Sequence, residues 1–171
     1  MKSRLTLLLT LTLFICVISV AAQNSPRAAV EAFYRYDRSH SQTFNRRNID
    51  ARKRWFSADL YNLFLNELKR EAAYLKKNPT DKPYFGDGLP FQPLQEKCGK
   101  GLDRGLAVKQ EFVRGNRAAA AATFAYPKRC GDPMPEVYTI GLSKTRSGWV
   151  IDDINYGEDT TLKQRLRRKE Y

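Results

Sequence analysis

Histidine occurs once in this 171-residue chain, methionine and tryptophan twice each, and cysteine three times. One histidine leaves no zinc signature, since such sites draw on several spaced Cys and His ligands. No nearby Ser or Cys pattern offers His40 a nucleophile to activate, so it reads as an exposed residue near a helix end and not as a general base. Acids are also scarce, 18 against 30 Lys and Arg, for a net charge of +12. Asp81 and Asp87 lack the alternating spacing and closing Glu of a calcium loop. Neither a metal nor a cofactor is expected. Beyond residue 20 no apolar run is long enough to span a bilayer, which takes about 20 residues.

The one long apolar run, residues 5–20, follows Lys2 and Arg4 and ends at Val20-Ala21-Ala22, with small residues where signal peptidase needs them. Residues 1–22 therefore read as a secretory signal and residues 23–171 as one secreted or periplasmic domain. Cys16 lies inside the apolar run and not behind a small-residue box, which argues against lipidation. Removing the leader takes Cys16 with it and leaves Cys98 and Cys130. In an oxidising compartment their pairing is the expected arrangement.

Ser25 caps a predicted helix with Pro26 at its first position. Val30, Phe33 and Tyr34 form its apolar stripe, and Asp37, seven residues after Val30, reads as the wet end of that stripe. The stretch 44–56 carries Arg46, Arg47, Arg52, Lys53 and Arg54 beside Ile49, Trp55 and Phe56, as a short helix from near Asn48 or Asp50. It reads as a cationic surface with Trp55 tucked inward; without a recognised binding motif, no nucleic acid is expected. Ser57 caps a longer helix whose apolar side is read as Tyr61, Phe64, Leu65, Leu68, Ala72 and Leu75, with Glu67, Lys69, Arg70, Glu71 and Lys76 opposite. Asn78-Pro79 ends it. Residues 79–101 have loop composition.

Four strands are predicted to follow: 106–114, 118–126 after a Gly115-Asn116 turn, 137–145, and 149–156 after a Ser147-Gly148 turn. A last helix over 161–170 has Leu162 and Leu166 as anchors and Lys163, Arg165, Arg167, Arg168 and Lys169 as a cationic face.

Val30-x-x-Phe33-Tyr34, Phe56-Ser57 with Leu60, and Trp149-x-Ile151-Asp152-Asp153-Ile154-x-Tyr156 followed by Leu162 and Leu166 resemble the nuclear-transport-factor-2-like, or cystatin-like, superfamily. The pattern is most similar to an uncharacterised bacterial branch found on exported proteins and envelope lipoproteins. The resemblance implies an α+β fold: a curved antiparallel sheet of about four strands wrapped on N-terminal helices, cone-shaped, with a short C-terminal helix. That fold hosts isomerases, dehydratases and non-catalytic binders alike, so it names no activity.

Three functional expectations follow. The first is a non-catalytic binding domain whose basic surface, Arg46, Arg47, Arg52, Lys53 and Arg54 or the terminal Lys163 to Lys169 face, meets an anionic envelope polymer, phospholipid or protein partner. The second is a pocket enzyme or carrier of isomerase type, with Asp37 or Asp153 as base and Tyr34 or Tyr36 as hydrogen-bond donor. The third is an inhibitor or immunity-type protein. Asp152 and Asp153 are adjacent on a strand and point to opposite faces, which excludes a paired-carboxylate mechanism on one substrate atom.

Overall fold

A computed structural model of the chain describes residues 25–93, 105–126, 134–157 and 160–168. The leader, Cys98, Cys130 and Lys169 lie outside the described residues. Helix α1, Pro26–Arg38, starts where Ser25 accepts a hydrogen bond from Ala28 N. The ring of Pro26 supplies the first helical φ at a position that needs no donor. Helix α2, Arg46–Arg52, begins earlier than its sequence predicts because Asn45 caps it, accepting from Asn48 N. It runs into a 3-10 turn, Lys53–Trp55. Ser57 then caps the long helix α3, Ala58–Lys77.

Four strands, β1 Gly105–Arg114, β2 Arg117–Ala125, β3 Glu136–Thr145 and β4 Gly148–Asn155, form one antiparallel sheet in sequence order. The α+β architecture expected from the sequence is the one observed. Gly115, at φ +57, takes the left-handed conformation the tight β1–β2 turn requires. Leu106, Val108, Ala122, Phe124, Tyr138, Ile140, Leu142, Ile151 and Ile154 share one face through the register. Alternation delivers that face to α1, which packs against β1, β2 and β4, and the alanines of β2 let the helix come close.

The core is aromatic at its centre. Phe33 meets Trp55, Phe56 and Phe91 at centroid separations of 6.1, 5.7 and 5.2 Å. Such contacts add about 0.5–1.5 kcal/mol per pair beyond their burial. Phe56 bridges to Ile151 and Ser57 N donates to Ile151 O, so the segment between α2 and α3 covers part of the outer edge of β4. That edge position fixes α2 beside the β3–β4 turn.

Two expectations about which face is inside are corrected here. Asp37 is not at a wet end but fully buried. On α3 the buried positions are Leu60, Phe64, Glu67 and Glu71, while Leu65, Leu68 and Leu75 are half-exposed and Ala72 is exposed. The last helix, α4 Leu162–Leu166, is shorter than its sequence pattern predicts; Thr161 and Gln164 form a capping box at its start. Leu162 and Leu166 are both buried, as anchors should be.

Candidate functional site

The basic run on and after α2 divides into an inside and an outside. Ile49 and Arg52 fall on the inner face of α2 at i, i+3, and Arg46 and Asp50 on its outer face at i, i+4. Arg52 is therefore not part of the binding surface that its neighbours suggest. Its guanidinium is completely buried, with Nε 2.7 Å from Asp37 Oδ1 and its terminal nitrogens donating to Asn48 O and Ser41 O at 3.0 Å. The second Asp37 oxygen takes the Gln92 amide. A planar fork with several fixed donors suits such a site better than an ammonium would. Arg46 pairs with Asp50 at the surface, and the Tyr61 hydroxyl, followed by Arg46, holds the Asp50 carboxyl below its ordinary value.

Arg47, Lys53 and Arg54 remain exposed. Lys53 Nζ lies 5.0 Å from the Tyr61 ring centre and the Arg54 guanidinium 3.9 Å from that of Trp55, so aromatic faces steady both cations. Tyr36 extends the stack, with Trp55 on one side at 4.4 Å and the His40 ring at 3.6 Å. His40 is exposed, as its sequence context predicts.

Antiparallel order places the β1–β2 and β3–β4 turns at the same end of the sheet, and Lys144 N donates to Asn116 O at 2.9 Å between them. Arg114, Lys144 and Arg146, all exposed, thereby stand at the end of the sheet beside which α2 lies. Sequence reasoning missed these three. Their signal was the basic residues flanking each turn, Arg114 and Arg117 at one and Lys144 and Arg146 at the other. Among the described residues no carboxylate pairs with Arg47, Lys53, Arg54, Arg114, Lys144 or Arg146. Arg117 is bound to Asp152 at 2.7 Å. An open groove of about 480 Å³ separates α2 and the 3-10 turn from the β3–β4 turn, lined by Asp50, Ala51, Lys53, Arg54, Phe56, Thr145, Ser147 and Val150.

The terminal cationic segment is differently placed. Lys163 bridges Asp59 and Asp152 at 2.7 and 2.9 Å, and Arg167 also reaches Asp59. Arg165 lies over Tyr156 at 4.2 Å. Arg168 binds the buried Glu67 at 2.5 Å and stacks on Tyr84 at 3.5 Å, while Arg70 holds Glu67 and accepts its orientation by donating to Leu166 O and Arg168 O. These cations are spent on the fold, so the face expected to be free is largely occupied. Burial tends to raise the Asp152 carboxyl, but hydrogen bonds from Lys163, Ser57 and Arg117 outweigh it and leave it below the ordinary value. Glu71 goes the other way: burial raises it, against a hydrogen bond from Phe85 N.

The carboxylates proposed for a pocket chemistry are both engaged. Asp153 Oδ1 accepts from Lys163 N at the start of α4 and from Ile154 N, each at 2.9 Å. A bulge makes this possible: Gly141 pairs with Asp153 and Leu142 with Ile151, so Asp152 is the extra residue and both acids serve Lys163. Asp37 is closed off by Arg52 and Gln92. No hydrogen bond joins either acid to Tyr34 or Tyr36 among the described residues. The Tyr34 hydroxyl is buried without a partner, and burial pushes its acidity far down.

No family model matches the chain, and neither a curated protein nor a solved structure is significantly similar to it. No described helix is long and apolar enough to cross a membrane.

Proposed function

We propose that this chain is an exported, non-catalytic binding domain of nuclear-transport-factor-2-like kind, which meets a polyanionic component of the cell envelope through the turn end of its sheet. One observation carries the reading: Arg47, Lys53, Arg54, Arg114, Lys144 and Arg146, brought from three segments to the turn end of the sheet, form no ion pair among the described residues, whereas other exposed cations without one, such as Arg35, Lys69, Lys76, Lys77 and Lys109, are spread along α1, α3 and β1. Glu111 is the one described acid without a hydrogen-bond or ion-pair partner, so the pairing of acids is close to complete. A surplus of one sign at one end of a domain raises the local concentration of opposite charge and its encounter rate.

The test is binding to a polyanion, polygalacturonate, measured at low and at high salt for the wild type and for the charge reversal K53E/R54E/K144E/R146E. Binding that is strong at low salt, screened at high salt and lost in the variant is the expected result. Absence of binding at low salt, or equal binding by the variant, overturns the assignment.

A further inference from the structure

The groove beside the cations is built for more than charge. Phe56 and Val150, nearly buried, form its apolar floor; Lys53 and Arg54 stand on one wall and the β3–β4 turn on the other. Its volume, about 480 Å³, lies within the roughly 300–1,000 Å³ of small-molecule sites. The turn wall is fixed internally: Thr145 Oγ1 accepts from Ser147 N at 3.2 Å and donates to Gly148 O at 2.9 Å. Ser147 Oγ lies 3.0 Å from Thr145 Oγ1, and by donating there it keeps its own lone pairs available at a residue that lines the groove. Asp50, ionised and steadied by Tyr61 and Arg46, adds a second acceptor at the other wall.

We infer that this groove takes one pyranose unit carrying an acidic group, so that the polyanion is a glycan and not a lipid surface or a polypeptide. Each part of the lining has a use for such a ligand. The apolar floor receives the C–H face of the sugar ring; Ser147 and Asp50 accept from ring hydroxyls; Lys53 and the planar fork of Arg54 receive the acidic group. A polyglutamate chain has no ring C–H face for the floor and no ring hydroxyls for Ser147 and Asp50, and a simple phosphodiester headgroup would use Lys53 and Arg54 alone. The inference rests on the polyanion reading above and adds the ligand class.

Titration of the full mature chain with hexagalacturonate and with an oligoglutamate of matched charge separates the two. The variant A51W fills the groove from an exposed helix position and leaves every cation in place; circular dichroism checks its fold. The milder S147A removes one acceptor only. The expected result is binding about tenfold tighter for hexagalacturonate than for oligoglutamate, with the two brought within about twofold in A51W and the preference partly reduced in S147A. Competition by glucose 6-phosphate or by galacturonate alone shows whether phosphate or carboxylate is the preferred acidic group, either one supporting the assignment. Equal affinity for both oligomers leaves the charge-driven reading standing and overturns the groove. A sugar preference that survives in A51W also overturns it, and no binding of either oligomer overturns both.

Discussion

Arg52 and Arg54 are two residues apart and chemically identical, yet one is sealed in the interior and the other lies open over Trp55. The same contrast holds between whole regions. Asp37 with Arg52 and Glu67 with Arg70 and Arg168 are buried as ion pairs, Arg52 donating further to Asn48 O and Ser41 O, whereas buried Glu71 is held by Phe85 N without an ion pair among the described residues. Burial without such partners would cost several kcal/mol per ion. At the turn end of the sheet nothing enforces pairing, because water solvates each cation. Charge that folding does not consume there is available for a ligand, and position along the chain is no guide to which kind a given arginine is.

The contrast is sharpest in stability. R52M leaves the Asp37 carboxyl buried without its cation, and should cost about 3–5 kcal/mol in urea unfolding, whereas R54M should stay within about 0.5 kcal/mol. Similar losses for the two would erase the distinction. R52M/D37L, which removes both charges, should recover much of the loss. Next in size is K53E/R54E/K144E/R146E, expected to unfold near the wild-type midpoint while its affinity for polygalacturonate at low salt falls by about tenfold or more. A large drop in stability would place those residues with Arg52 instead.

Glu71 gives a smaller, pH-dependent effect. Its folded value lies above the ordinary 4.5 because burial disfavours the charge. The native state therefore holds this proton more tightly than the unfolded chain, and stability from this group is fully present below the unfolded value and declines as pH rises through the folded one. Asp50, Asp59 and Asp152, shifted down, have the opposite sign and lose their contribution as pH falls. E71Q keeps an acceptor for Phe85 N and drops the charge, so its melting temperature should exceed the wild type's at neutral pH and converge with it in acid. A gap that widens in acid would contradict the assignment. The smallest effect belongs to Y34F: its hydroxyl is buried and unpartnered, so the change should be neutral or stabilising by about 1 kcal/mol or less. A clear destabilisation would show that the hydroxyl has a partner.

The local features of the fold were legible. Ser25 with Pro26, Ser57, Gly115-Asn116 and Ser147-Gly148 each act through neighbours in sequence, and each ends or starts an element where its chemistry predicts. The buried ions were not, because each depends on a partner far along the chain. Asp37 is inside only because Arg52 folds back on it. On α3 two stripes competed, and hydrophobicity favours Tyr61, Leu65, Leu68 and Leu75 over a stripe containing two acids; the acidic one is inside because Arg168, 101 residues away, reaches Glu67. At the candidate site Lys53 and Arg54 stood out as part of a basic run. Arg114, Lys144 and Arg146 did not, since strand order alone brings two distant turns to one end.

Glu67 also ties completion of the fold to residues 162–168. Until residues 162–168 are present, the carboxylate lacks Arg168, and the places of Leu162 and Leu166 in the core stand open. The domain is therefore closed by the docking of this segment, and a chain cut before residue 162 should expose part of its core together with a buried carboxylate that has lost a counter-ion.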